Sequence, residues 1–187
     1  MKPQLDRTGF WFLRHGETDW NTRNLAQGSV ETKLNARGQE QAEAAAAALK
    51  GRGIASLFSS PLVRARETAD LVGDAIGVMP VIEPDLRETS YGIEEGKVMG
   101  EWFGDWTAGN FTPDGAESFD HLMARAVGAV NRCLAFPAPV LIVSHGAFFR
   151  ALRGAMGLER NVRTPIATPF WCAHGQNGWQ LNPLNLN

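Results

Sequence analysis

Two histidines, each followed by glycine, stand where apolar runs stop. Phe10-Trp11-Phe12-Leu13 leads into Arg14-His15-Gly16-Glu17-Thr18, and Val140-Leu141-Ile142-Val143 leads into Ser144-His145-Gly146. Arginines accompany them: Arg14 precedes His15, and Arg64 falls in the first turn of a helix predicted after Ser59-Ser60-Pro61. A guanidinium is always charged and can hold an oxyanion through two parallel N–H bonds, so two converging arginines repel a metal ion and suit a phosphate dianion. Helix N-termini predicted after Ser60 and Gly146 would add backbone N–H groups and positive dipole ends.

In a phosphate pocket a neutral imidazole nitrogen can attack phosphorus, provided the other ring nitrogen keeps its proton by bonding a carbonyl. One histidine would attack; the other, if protonated, would donate to an equatorial oxygen and offset charge with the arginines. The leaving alkoxide needs a proton. Glu88, in Leu86-Arg87-Glu88, is the best-placed donor, with Glu94 and Glu95 as rivals.

The elements that must carry these residues alternate. Gly9 to Arg14 reads as a buried strand, followed by a polar loop from Glu17 to Leu34. Asn35 caps a helix from Ala36 to Lys50, whose alanine run Ala44 to Ala48 implies close helix–sheet packing. Ile54 to Phe58 reads as a strand, Leu62 to Ile76 as a helix stopped by Gly77, and Val78 to Ile82 as a strand. Residues 84 to 116 read as loop with short helical pieces; Trp102 and Trp106 there could line a substrate site or pack over the sheet. Glu117 to Phe136 is a predicted amphipathic helix, followed by the strand Val140 to Ser144 and the helix Ala147 to Met156. Ile166 to Ala173 and Gly178 to Leu181 form a predicted hairpin with Asn177-Gly178 in its turn.

Alternating βα units require parallel strands covered on both faces. The expected fold class is α/β, a three-layer α/β/α sandwich with a mostly parallel sheet and an antiparallel edge hairpin. His15 and His145 then both sit at carboxyl ends of strands, where such sheets bind ligands. The expected organisation is a single domain over 1–187 with a short cap around 97–116.

Composition bounds the partners. A net charge of −2 over 187 residues gives no global attraction to nucleic acid or to an anionic membrane. No apolar run approaches the ~20 residues that span a bilayer, and Met1-Lys2-Pro3-Gln4-Leu5-Asp6 lacks the apolar core of a signal peptide, so a cytoplasmic address is expected. Cys133 and Cys172 have neither metal-ligand nor redox spacing and read as free, packed thiols. His121 and His174 read as surface and hairpin residues.

Arg14-His15-Gly16-Glu17-Thr18 with Trp20-Asn21 resembles the signature of the histidine phosphatase superfamily, which includes the cofactor-dependent phosphoglycerate mutases. Further blocks follow in that family's order: Ser59-Ser60-Pro61-Leu62-Val63-Arg64-Ala65 with Thr68-Ala69, Leu86-Arg87-Glu88 with Tyr91-Gly92 and Glu95-Gly96, Gly115-Ala116-Glu117-Ser118, and Val143-Ser144-His145-Gly146. The resemblance implies that His15 is the phosphohistidine nucleophile, that Arg14, Arg64 and His145 complete the phosphate pocket, and that Glu88 is the proton donor. It also implies that Asn21 contacts the phosphoryl group and that Gln27 and Gly28 lie near the substrate. One departure is Lys33, where relatives commonly carry proline.

True mutases of this family carry longer insertions around the substrate. The short stretch from 97 to 116 leaves a phosphoenzyme open to water, so the expected function is a metal-independent phosphomonoesterase, without cofactor or metal, acting on a small phosphorylated metabolite. The alternatives are mutase-type phosphoryl transfer, a metallohydrolase built on His15, His145 and Glu88, and a non-catalytic module that binds a phosphorylated ligand. A homodimer through the tail hairpin is a further expectation. His15 must be neutral to attack and Glu88 protonated to donate, which predicts a bell-shaped pH profile on the acid side of neutrality.

Overall fold

The computed structural model describes residues 4–186. Met1–Pro3, part of the N-terminal run read for a targeting signal, lie outside the described residues.

Six strands form one sheet in the order β3-β2-β4-β1-β5-β6. They are β1 Phe10–Arg14, β2 Ser56–Ser59, β3 Pro80–Ile82, β4 Val140–Ser144, β5 Pro169–Gly175 and β6 Gly178–Pro183. The first four are mutually parallel, and β5 runs antiparallel to both β1 and β6. The mostly parallel sheet with an antiparallel edge hairpin is therefore as expected.

Side-chain alternation builds the three layers. Trp11 and Leu13 of β1, with Leu141 and Val143 of β4, pack under α2 (Ala36–Leu49) and α3 (Val63–Ile76). Phe10, Phe12, Val140 and Ile142 point the other way, into a core shared with α4 (Trp102–Ala108), α5 (Phe119–Leu134) and α6 (Gly146–Ala155). Within the alanine run Ala45 and Ala46 are buried, with Ala42 one turn before them, and they serve close packing, whereas Ala44 and Ala47 face solvent. Phe12 stacks on Phe149 at 4.1 Å between ring centroids, which ties α6 to the centre of the sheet.

Local chemistry moves several boundaries. β3 starts at Pro80, not Val78, because Val78 N–H still bonds the Gly73 carbonyl and belongs to the end of α3. Asn35 caps α2 by accepting from Gly38 N–H, as its position predicts. Ser118 caps α5, so that helix begins two residues after Glu117. The loop read from Glu17 to Leu34 contains a short helix, α1 (Asp19–Thr22), closed by a capping box between Thr18 and Asn21. In the hairpin, Gly175 pairs with Gly178, leaving Gln176-Asn177 as the loop, with positive φ at Gly178 and not at Asn177. Cys133 and Cys172 are free and buried. Among the described residues no helix is long and apolar enough to cross a membrane.

Candidate active site

β1 and β4 are neighbours in register, Arg14 opposite Ser144, so their carboxyl ends deliver His15 and His145 to the same place. The ring centroids are 5.2 Å apart. His15 Nδ1 lies 2.7 Å from Gly16 O. A carbonyl only accepts, so Nδ1 carries the proton and Nε2 keeps a free lone pair. Gly16 is required beside it: a Cβ there would strike the carbonyl of Gly38, where α2 crosses the chain. Burial first, then the positive charges of Arg64 and Arg14, hold His15 well below the ordinary histidine pKa of 6.5.

His145 is fully buried, with Nε2 2.7 Å from Ser60 Oγ. Its Nδ1 makes no hydrogen bond within the protein. Burial, Arg64, His15, Arg14 and Arg125 all push its pKa well below 6.5. These shifts favour the neutral form of the second imidazole in the free protein.

Both predicted arginines converge on this point, and main-chain carbonyls hold them. Arg14 Nη1 donates to Thr164 O at 2.7 Å; Arg64 donates through Nη1 to Val30 O and through Nη2 to Gly28 O, each at 2.8 Å. Their Nε atoms are buried and make no hydrogen bond within the protein. Burial pushes Arg14 down to about 10, which leaves it charged at neutral pH.

The helix N-termini serve differently from expectation. Glu31 accepts from Val63 N–H at the start of α3 (2.9 Å). Glu88 accepts from Ala147 and Phe148 N–H at the start of α6, at 3.0 and 2.9 Å. The chain's own carboxylates occupy these amides, so guanidinium groups are left as the principal positive charge in the pocket. Gly146 still lines the cavity, and its missing Cβ leaves room for the Arg14 guanidinium, whose Cζ would lie only 3.3 Å away.

Glu88 is firmly placed. Ser144 Oγ donates to Leu86 O at 2.7 Å, and Arg125 Nη1 donates to Asp85 O and Arg87 O at 2.7 and 2.9 Å. Arg125 is itself held by a bidentate pair with Glu117 at 2.9 and 2.6 Å. Arg87 pairs with Asp85 instead of Glu88. The rivals are occupied elsewhere: Glu94 with Lys97, and Glu95 with Ser29 and the backbone N–H of Tyr91.

Asn21 and Gln27 line the cavity with Gly28. Asn21 Oδ1 accepts from Thr18 N–H at 3.1 Å, which orients its amide and leaves the Nδ2 hydrogens for a ligand. Gln27 Oε1 is engaged by Thr18 and Thr32 hydroxyls. Lys33 is exposed, and its departure from proline leaves the loop anchored by Arg64, by Glu31 on Val63 and by Glu67 on Leu34 N–H.

The cavity, about 190 Å³, opens over His15, Arg14, Arg64 and Glu88. Tyr91, from the block that carries Glu88, also lines it, with residues the sequence reading did not assign to the site: Met99, Phe103, Arg150 and Arg163. Arg150 had a signal, since it lies four residues after Gly146 and shares that face of α6. Arg163 sits in an irregular segment and had none. The tryptophan question resolves toward packing: Trp106 is fully buried and donates to Glu117 O, Trp102 packs against the core, and Phe103 between them reaches the cavity.

A parallel-centred sheet with two histidines and two arginines at its carboxyl edge defines a phosphoryl-transfer architecture. The chain belongs to the histidine phosphatase superfamily, branch 1, whose family model matches residues 10–168. It is 35% identical over 147 residues to the probable phosphoglycerate mutase GpmB of Cronobacter sakazakii, covering 73% of this chain and 68% of the relative. Over 186 residues it is 32% identical to the Serratia proteamaculans protein of that name, covering 90% and 86%. Among solved structures it resembles a mycobacterial glucosyl-3-phosphoglycerate phosphatase in complex with VO3 (TM-score 0.82, 28% identity, 95% and 98% covered). It also resembles a putative alpha-ribazole-5'-P phosphatase of Escherichia coli (TM-score 0.79, 27% identity, 96% and 97% covered).

Proposed function

We propose that this chain is a phosphomonoesterase that hydrolyses a small phosphorylated metabolite through a phosphohistidine on His15. The observation that carries this reading is the fixed tautomer of His15, whose free Nε2 accompanies two arginines with unpartnered Nε donors.

The Nε2 lone pair attacks phosphorus while the bond to the leaving oxygen breaks, and protonated Glu88 gives that oxygen its proton. Arg14, Arg64 and the Asn21 amide bind the equatorial oxygens, where charge develops in the transition state. His145, beside His15 and with an Nδ1 that has no partner within the protein, is a further hydrogen-bonding group next to the nucleophile. Water then attacks the phosphohistidine, Glu88 takes the water proton, the N–P bond breaks and inorganic phosphate leaves. The residues around the cavity supply cations, not ligands for a divalent ion, so the steps need no metal.

The relatives named phosphoglycerate mutase favour a second reading, transfer back to a sugar acid. Against it we set the shortness of the stretch that carries the seven-residue α4, since a cap this small should leave a phosphoenzyme open to water.

The test is phosphate release from an aryl phosphate in excess chelator, comparing the natural chain with His15→Ala. Release abolished by the substitution supports the proposal. Isomerisation of 3-phosphoglycerate without phosphate release overturns it in favour of a mutase.

A further inference from the structure

The two ring nitrogens of His145 differ in their surroundings. Nε2 lies 2.7 Å from Ser60 Oγ, while Nδ1 is buried and makes no hydrogen bond within the protein. The partner comes from a third strand end. β2 pairs with β4, Ser59 opposite Val143, so Ser60 follows the end of β2 where His145 follows the end of β4. Both residues are fully buried.

Ser60 does not cap α3, whose N-cap is Leu62. Its own hydrogen bonds are nearly complete without His145. The Ser60 N–H donates to Val143 O at 3.0 Å, its carbonyl accepts from Ser59 Oγ at 2.9 Å, and its Oγ accepts from Leu62 N–H at 3.2 Å. The hydroxyl proton is left, and among the described residues the remaining partner of Oγ is His145 Nε2. If Nε2 donated to Oγ, that proton would be buried without an acceptor; if Nε2 accepts, every group of Ser60 is satisfied.

Resting on the phosphatase reading, we propose that Ser60 is a positioning residue: its hydroxyl donates to His145 Nε2, fixes the Nδ1–H tautomer and so holds a neutral N–H donor for a phosphoryl oxygen. The buried Nε atoms of Arg14 and Arg64 are donors in the same condition, and Nδ1–H adds a third beside His15. A lone pair on Nδ1 would repel the phosphoryl oxygen that these donors attract. Both histidines are then Nδ1–H tautomers with opposite uses. His15 gives its proton to Gly16 O and keeps the Nε2 lone pair for attack, whereas His145 takes a proton at Nε2 and keeps the Nδ1 proton for donation.

Neutron diffraction from the deuterated natural chain locates these protons without any variant. Deuterium on Ser60 Oγ and on His145 Nδ1 supports the proposal, and deuterium on Nε2 overturns it. In solution, ¹⁵N-histidine correlation spectra read the same tautomer, with the His145 signals identified by their loss in His145→Gln. The natural chain and Ser60→Thr should be protonated on Nδ1, and Ser60→Ala should shift toward Nε2–H. An unchanged tautomer in Ser60→Ala overturns the assignment, because a serine that only packs would leave it alone. Inorganic phosphate probes the donor: it should bind Ser60→Ala about tenfold more weakly than the natural chain, with affinity restored in Ser60→Thr, and equal affinity in Ser60→Ala overturns the role. Should Ser60→Ala not fold, the neutron result still decides. None of these readouts needs turnover, so failure of the His15 chemistry would appear separately, as absent phosphate release with the tautomer intact.

Discussion

The Nδ1 atom of His15 lies 2.7 Å from the carbonyl oxygen of its neighbour, Gly16. That single contact decides the tautomer, and therefore which nitrogen can attack. Replacing His15 by alanine removes the proposed nucleophile, and phosphate release is expected to fall by at least about 10³-fold. Rapid quenching in alkaline detergent with a ³²P-labelled substrate should trap base-stable, acid-labile label on the natural chain and none on the variant.

The pH dependence follows from the depressed His15. Because burial and the two arginines hold it below 6.5, the attacking form persists as pH falls through that value. The acid limb of kcat/KM assigned to His15 should therefore lie below pH 6.5, at more acid pH than an ordinary histidine would place it. A profile whose acid limb lies at or above 6.5 contradicts the assignment.

The same shift governs stability, with a definite sign. His15 and His145 are both depressed in the folded chain, so below about pH 6.5 the unfolded chain binds protons that the folded chain does not. Stability contributed by their neutral burial is present above that pH and is lost as pH falls toward their folded values. The slope can reach about 1.4 kcal/mol per pH unit for each histidine. Urea unfolding between pH 7 and 5 should show it, and His145→Gln should flatten it.

Glu88→Gln separates proton donation from simple packing. An amide keeps one acceptor for the α6 N–H groups but cannot donate the acid proton. Hydrolysis of an alkyl phosphate should drop about 10²–10⁴-fold, while p-nitrophenyl phosphate, whose leaving group needs no proton, should lose much less. Equal losses for both substrates would make Glu88 a structural residue.

Arg125 positions Glu88 from a distance. Its side chain and that of Glu117 are only 10% and 19% exposed, and it bonds the carbonyls on either side of Leu86. Arg125→Met leaves Glu117 unpaired and frees the Glu88 loop, at a cost of about 2–4 kcal/mol. Calorimetry should show a lower Tm, and kcat should fall more for alkyl than for aryl phosphates, since the defect acts through the proton donor.

The sequence determined the local facts. Apolar runs of strand length, Asn35 before a helix and Gly77 after one fixed most of the α/β order, because these signals act within a few residues. His15, His145, Arg14, Arg64 and Glu88 could be singled out from their residue types and neighbours, and the structure brings them to one place. Tertiary structure decided what depends on distant partners. Only the pairing of β1 with β4 brings the two histidines together, and only the return of the loop before Glu88 to α6 sets that carboxylate on backbone N–H groups that the sequence alone would have offered to phosphate. Arg163 joins the cavity from an irregular segment with no local pattern to mark it. Periodicity and capping are encoded by neighbouring residues, whereas which charges share a cavity depends on contacts across a hundred residues and more, which exist only once the sheet and helices have packed.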